Sequence, residues 1–113
     1  MSNENTLKVS AVLFQDGQWW SAQCLEYDVA AQAQTLSDLQ TEFQRVLISH
    51  LAIARELGRK PFEGIPPAPR KFWDLFKQSR LRVESDELPF RNPEPLGFPA
   101  VLPRLKIAEQ HAA

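Results

Sequence analysis

The sequence of 113 residues lacks the features that mark several large protein classes. Cys24 is the only cysteine, so no internal disulfide can form. The chain has no run of roughly 18 apolar residues, which a membrane-spanning helix needs, and its N-terminal stretch lacks the basic start and apolar run of a signal peptide. The four glycines are scattered, so there is no glycine-rich phosphate loop. We therefore expect a cytoplasmic protein that makes no membrane contact.

Ligands for metals are also scarce. Two histidines and a single cysteine give no zinc-binding spacing, and we expect no metal or cofactor. Hydrophobic residues make up 43% and charged residues 24% of the chain, as is typical of a globular domain. The net charge of -1 is not the overall signature of a nucleic-acid-binding protein.

The charge is distributed unevenly along the chain. Residues 1–44 carry a net charge of -5, residues 45–82 carry +6, and residues 83–113 carry -2. Such a separation can steer an acidic partner onto the middle segment. Alternatively, the opposite charges meet within the fold or across a dimer, since most charged faces are merely solvated.

Three segments near the N-terminus have the pattern of β-strands. LKVSAVLF at residues 7–14 and WWSAQCLE at residues 19–26 flank an Asp-Gly pair, which favours a tight hairpin turn. DVAAQAQT at residues 28–35 predicts a third strand in a meander, although alanine and glutamine are poor strand formers. In the second strand Trp20 falls on the face expected to be buried, which leaves Trp19 on the wetter face, where a large aromatic side chain usually gains cover.

A long amphipathic helix follows. Apolar residues recur every three or four positions and predict a helix from about Ser37 to Leu57. Thr35 or Ser37 can cap its start, Gly58 provides a left-handed C-cap, and Pro61 prevents its continuation. Further on, RKFWDLFKQS at residues 70–79 predicts a short second helix, and LRVES at residues 81–85 predicts a last strand.

Five prolines occur between residues 86 and 103, and this density excludes a regular central strand or helix there. The same segment is too rich in apolar residues for a typical disordered tail. We expect an extended arm that lies along its own domain or a neighbouring subunit, followed by LKIAEQHAA, which forms a helical turn or frays. The sequence thus divides into a domain at residues 1–85 and a proline-rich arm at residues 86–113 that is not an independent domain.

Three groups of residues were weighed as chemical or binding sites. Glu26 and Asp28 are two apart in an extended stretch and can share a metal ion, but a solvated strand end explains them better. Cys24 with His50 as base would resemble a nucleophilic pair, yet both fall on faces expected to be buried.

The third group is the basic and aromatic segment at residues 55–82, which has the composition of an RNA-binding surface. Because Phe72 and Phe76 have the core spacing of a helix, the aromatics are more simply core residues with a basic rim. We take the candidate interaction surface to be formed by Trp19, Arg70, Lys71, Trp73 and Lys77.

The order of these elements resembles the HicB-like antitoxin family. The resemblance rests on a glycine-containing turn, the aromatic strand WWSAQCLEYD with Cys24 near its end, the helix entry Gln34-Thr35-Leu36, and the long amphipathic helix, over about residues 7–57. GIPPAPRKFWDLF also looks like an extension found in a branch of bacterial HicB-like proteins. The chain departs from the family pattern at Ala33, where glycine is usual, and at Leu39 and Gln40, where Glu-Ala is common.

The resemblance implies a fold and a role. The fold would be α+β, with a small antiparallel sheet of three to four strands in the order β-β-β-α-β, one long helix on one face, and a likeness to a partial RNase H-like arrangement without nuclease activity. The role would be that of a non-catalytic interaction module, either an antitoxin-type inhibitor of a small basic RNA-cleaving toxin or a solitary relative with another partner. No DNA-binding domain fits after residue 85.

Two alternatives remain beside this expectation: an RNA-binding module that uses residues 55–82, and a metal-dependent nuclease built on Glu26 and Asp28. A single sheet-and-helix layer leaves one sheet face and an edge strand exposed. We therefore also expect a homodimer or a higher symmetric oligomer.

Overall fold

A five-stranded mixed sheet organises the protein, which the computed structural model describes for residues 6–83 and 100–108. The strands are β1 (Thr6–Asp16), β2 (Trp19–Cys24), β3 (Ala30–Ala33), β4 (Leu81–Val83) and β5 (Ala100–Ile107). Their order across the sheet is β3-β2-β1-β5-β4, with β1 and β5 parallel and all other neighbours antiparallel. The predicted α+β class is confirmed, but the prediction of a purely antiparallel sheet of three to four strands is wrong.

The N-terminal hairpin forms as its turn residues predict. Gly17 has a φ of +67°, a backbone conformation that glycine adopts without steric cost, and the resulting two-residue loop places Asp16 opposite Trp19. The third strand is shorter than predicted, because regular pairing with β2 begins only at Ala30. Before it the chain bends, and the Cys24 amide donates to the Val29 carbonyl at 2.9 Å.

Two helices complete the described fold, α1 (Leu36–Glu56) and α2 (Arg70–Gln78). The prediction for the long helix is confirmed to within one residue at each end. The Thr35 hydroxyl accepts a hydrogen bond from the Asp38 amide at 3.0 Å, as an N-cap should. At the other end Gly58 has a φ of +70°, and the following amide, of Arg59, donates to the Ala54 carbonyl.

The core lies between α1 and one face of the sheet. The sheet contributes mostly small side chains to this layer, and the helix contributes large ones. The buried sheet residues include Val9, Ala11, Leu13, Ala22, Cys24, Ala31, Ala33 and Leu105, and the buried helix residues are Leu39, Phe43, Leu47, Leu51 and Ala54. Small residues under large ones allow the helix to approach the strands closely, as dense core packing requires.

The second helix packs on the opposite face of the sheet. The ring of Phe72 stacks on that of Phe14 in β1 with 6.0 Å between centroids, and the Lys106 ammonium of β5 donates to the Phe76 carbonyl at 3.3 Å. With nine residues, α2 extends only about 14 Å and covers the β1–β5 part of this face. The predicted second helix at residues 70–79 is confirmed.

The central position of β5 corrects our interpretation of the proline-rich arm. Residues 100–107 form a strand beside β1, which the sequence did not predict, and residues 105–107 neither fray nor form a helical turn. Pro103 pairs in register with Val9 on β1, whereas the described pairing with β4 reaches only Leu105. Within the described residues Pro103 therefore has a strand neighbour on one side only, and a proline is tolerated there because its missing N–H need not face a partner.

Other parts of that interpretation lie outside the described residues. These are residues 84 and 85 of the predicted last strand, residues 86–99 of the arm, and residues 109–113 at the C-terminus. The part of the predicted last strand that is described, Leu81–Val83, does form β4.

Replacement of Leu105 by alanine tests the central role of β5. Because Leu105 is 3% exposed and contacts the core, Leu105→Ala should lower the free energy of unfolding by about 3 kcal/mol. The matched control is Leu81→Ala on the neighbouring strand, whose side chain is 52% exposed and whose loss should cost under about 1 kcal/mol. Urea denaturation followed by circular dichroism measures both, and equal costs would contradict the placement of β5.

Candidate functional site

A groove of about 440 Å³ opens on the face of the sheet opposite α1. It lies over β1, β2 and β3, beside the part of the face that α2 covers. Its lining combines one aromatic side chain with small and amide residues: Phe14, Asp16, Ser21, Ala22, Gln23, Ala30, Ala31 and Gln32. Phe14 contacts α2 and also lines the groove, so the helix forms a side wall of this open surface.

Trp19 lies next to the groove and is 44% exposed. Strand alternation places its side chain on the same face as Ser21, which lines the groove, while Trp20 packs toward the core on the other face. The exposure expected for Trp19 is confirmed, whereas Ser21 and Gln23 on the same face of β2 are buried. A large aromatic side chain that stays this exposed is a common component of protein-binding surfaces.

The polar side chains in the groove are held by local hydrogen bonds. The Gln32 amide donates to the Ser21 hydroxyl at 3.1 Å across β3 and β2. Gln23, which is buried, donates to the Asp28 carboxylate at 2.9 Å and to the Cys24 carbonyl at 3.0 Å. These bonds fix the side chains in place, so a partner would meet a surface that is already ordered.

The two carboxylates weighed as a metal site accept hydrogen bonds within the fold instead. The Glu26 carboxylate accepts a hydrogen bond from the Ser10 amide at 2.6 Å, just beyond the end of β2, where that amide has no strand partner. Asp28 accepts from Gln23. Among the residues that the structure describes, no group of three or more histidine, cysteine or acidic side chains is placed to hold a metal ion.

Cys24 and His50 do not form a reactive pair. Cys24 is fully buried, and burial raises the pKa of its thiol from 9.0 to about 11, so the thiol stays protonated at neutral pH. The His50 ring is half-buried and lies 6.0 Å from the ring of Phe62, which is a packing arrangement. The expectation that Cys24 is buried is confirmed.

The remaining residues of the candidate interaction surface lie on α2. Arg70, Lys71 and Lys77 are exposed. Trp73 is half-buried, and its indole N–H donates to the Ala68 carbonyl at 3.2 Å, so it holds the loop before the helix. The role of these residues in binding a partner stays a prediction.

The aromatic residues of α2 face the fold. Phe72 stacks on Phe14, and the ring of Phe76 lies under the Lys106 ammonium at 4.5 Å. Phe72 and Phe76 are therefore engaged within the fold and do not support the RNA-binding alternative as free stacking surfaces. The helical spacing of Phe72 and Phe76 therefore predicted their environment better than the basic and aromatic composition of residues 55–82 did.

One ion pair is described between the acidic N-terminal segment and the basic middle segment. It joins Glu42 and Arg45 at 3.0 Å, one helical turn apart on the surface of α1. Because this pair lies within one helix, it does not neutralise the two segments across the tertiary structure. Both interpretations of the charge separation therefore stay predictions.

Most of the groove was not predicted from the sequence. Strand alternation shows that Ser21 and Gln32 lie on the polar side of their strands. The groove, however, depends on the position at which α2 ends, which no short stretch of sequence specifies.

Comparison of the chain with protein-family models, curated proteins and solved structures gave no match. None of the helices in the described residues is long and apolar enough to cross a membrane.

Removal of the Glu26 side chain should show its structural role. Glu26→Ala leaves the Ser10 amide without its acceptor and should lower the free energy of unfolding by about 1–2 kcal/mol, whereas Glu26→Gln keeps an acceptor oxygen and should cost less. Glu42→Ala is the control, because it removes only a surface ion pair worth under about 1 kcal/mol. Chemical denaturation gives all three values, and a Glu26→Ala protein as stable as the Glu42→Ala protein would contradict this role.

Cys24 should behave as an apolar core residue. At pH 8 the native protein should react with a thiol reagent much more slowly than the unfolded protein. Since the thiol pKa is higher in the folded state, its contribution to stability is complete below pH 9 and is lost as the pH rises toward 11. Over that interval wild type should lose about 2 kcal/mol more than Cys24→Ala in urea denaturation, and parallel pH profiles would contradict burial of the thiol.

Proposed function

We propose that this protein is a non-catalytic interaction module, similar to the HicB-like antitoxins, that binds a small basic protein on the open face of its sheet. The observation that carries the proposal is the groove over β1, β2 and β3 with the exposed Trp19 beside it. The partner that the family resemblance implies is a small RNA-cleaving toxin, which this protein would hold inactive by occupying its surface.

The shape and composition of the groove favour a protein partner. Protein interfaces are enriched in aromatic residues, and Trp19 is an exposed one beside the hydrogen-bonded side chains of Ser21 and Gln32. An open surface of this kind accepts a side chain from another protein more readily than it encloses a small substrate, for which a closed pocket is usual.

The charge around the groove favours a basic partner. Asp16 lines the groove and is exposed, and Asp28 is exposed just before β3. Lys8 is the only base in residues 1–44, against six acids. Complementary charge of this kind raises the association rate and orients the partner before contact.

The β3 strand offers a second element of recognition. It is an outer strand of the described sheet and consists of the residues AAQA. It carries neither lysine nor proline, which are the residues that commonly protect an edge strand from pairing. An extended segment of the partner can add to β3 through main-chain hydrogen bonds while one of its side chains enters the groove.

The order of elements supports the resemblance without deciding it. Three antiparallel strands precede the long helix, Cys24 ends the second strand, and Thr35 caps the helix start. The described order is β-β-β-α-α-β-β, so the expected β-β-β-α-β order lacks α2 and β5. The groups weighed for catalysis have structural roles, which favours binding over chemistry.

The proposal is tested with one substitution at the centre of the surface. The small basic protein that copurifies with the tagged chain from host lysate is produced separately, and its affinity is measured by calorimetry. Trp19→Ala should weaken binding by about thirtyfold or more, since buried aromatic anchors contribute about 2 kcal/mol or more. The control is Ile53→Ala, which removes a side chain that is 56% exposed on α1, away from the groove.

Two results would contradict this assignment. Equal affinity of wild type and Trp19→Ala for the basic protein would remove the groove from the interface. A stable dimer of wild type in light scattering, which Trp19→Ala converts to a monomer, would show that a second copy of this chain occupies the face instead.

A further inference from the structure

A cluster of basic residues lies at the edge of the sheet farthest from β3. We call this cluster the basic corner, and its members are Lys77, Arg80, Arg82, Arg104 and Lys106. Arg82 of β4 stands directly opposite Lys106 of β5 in the antiparallel register, and Arg104 is two residues from Lys106 on the same strand. Strand alternation therefore places these three side chains on the same face of the sheet.

The arrangement of these charges is unfavourable for folding. Like charges directly opposite each other in an antiparallel pair destabilise the sheet, because their Cβ atoms are only about 5 Å apart. No carboxylate of the described residues forms an ion pair with any of the five, since the one described ion pair joins Arg45 and Glu42. Within the described residues the cluster costs stability and lacks a counter-charge, and a ligand that supplies negative charge would remove that cost.

Two of the cations are held in place from within the fold. The Lys106 ammonium donates to the Phe76 carbonyl at 3.3 Å and lies 4.5 Å over the ring of the same residue. The Arg104 guanidinium donates to the Ser10 hydroxyl at 2.7 Å. Because these bonds restrict their rotamers, a ligand that meets them loses less conformational entropy than one that meets free surface lysines.

We propose that the basic corner binds an extended acidic segment of another polypeptide. Arg104 and Lys106 project from alternate positions of one strand, about 7 Å apart. An extended polypeptide with acidic residues at alternate positions has the same period. This binding site is separate from the groove of the proposed function and does not depend on it.

A polypeptide fits this corner better than RNA does. The Lys106 ammonium lies over the ring of Phe76, so that ring does not offer a base a free stacking face. The net charge of the whole chain is -1, with -5 on residues 1–44. The acidic residues 1–44 repel a long polyanion such as RNA. A short acidic peptide, in contrast, needs only the positive field of the basic corner.

The affinity of a labelled synthetic peptide tests the proposal. The peptide alternates glutamate with threonine, the control peptide has glutamine in place of glutamate, and fluorescence anisotropy reports binding to the full chain. Arg82→Gln should weaken binding of the acidic peptide about fivefold, and the glutamine peptide should not bind. Arg82 is exposed and its side chain forms no hydrogen bond given for the described residues, so this variant should fold as wild type does.

The matched control removes charge elsewhere. Arg59 and Lys60 are exposed beyond the end of α1, and Arg59→Gln with Lys60→Gln should leave the affinity for the acidic peptide within about twofold. An equal loss in this double variant would mean that only net charge matters and would overturn the site. RNA that binds more tightly than the peptide, and that Arg82→Gln releases, would replace the polypeptide with a nucleic acid.

Reversal of one charge separates binding from stability. Arg82→Glu places a carboxylate opposite Lys106 and should raise the melting temperature by about 2–4 °C while abolishing peptide binding. A lower melting temperature would show that the cluster is already neutralised.

The chain itself carries acidic residues directly after β4, namely Glu84, Asp86 and Glu87. If they occupied the basic corner, Glu84→Gln with Asp86→Asn and Glu87→Gln would bind the acidic peptide much more tightly than wild type. That gain would overturn the assignment to another polypeptide, whereas equal affinity of the two proteins supports it.

Discussion

The contact between α1 and the small-residue face of the sheet is the constraint on which the rest of the structure depends. Ala11, Ala22, Cys24 and Ala31 line that face, and the large side chains come from the helix, among them Phe43. Neither surface would form a dense layer without the other, because small side chains alone bury too little apolar area. The pairing fixes which face of every strand points inward, and so it also fixes which side chains face outward.

The open groove follows from unequal cover of the two faces of the sheet within the described residues. One long helix covers the inner face across β1, β2 and β3, whereas the described helix on the outer face is the nine-residue α2. That helix is anchored at Phe14 and Lys106, so it lies over β1 and β5, and Ala30 and Gln32 of β3 stay exposed. Ser21 and Gln23 of β2 line the groove as buried residues, and Trp19 beside it is 44% exposed.

The structural features that depend on residues close together in the chain were predicted correctly from the sequence. The Asp-Gly turn, the helix from Thr35 to Gly58 and the short α2 depend on residues close together in the chain, and all were found where predicted. The position of β5 was missed because it depends on a parallel pairing with β1 that spans most of the chain, and Pro103 argued against it. The exposure of Trp19 followed from alternation alone, whereas the groove and the basic corner needed the positions of α2 and β5.

The separation of charge along the sequence becomes a separation in space. β3, with Asp28 just before it, lies at one edge of the sheet, and β4, with Arg82, lies at the other. Four strand spacings of about 4.8 Å place these edges roughly 19 Å apart. That distance is about twice the Debye length of ~8 Å at physiological ionic strength, so neither edge neutralises the other through solvent. Each edge therefore keeps its own local charge, and the two proposed partners would meet separate surfaces of a chain whose net charge is close to zero.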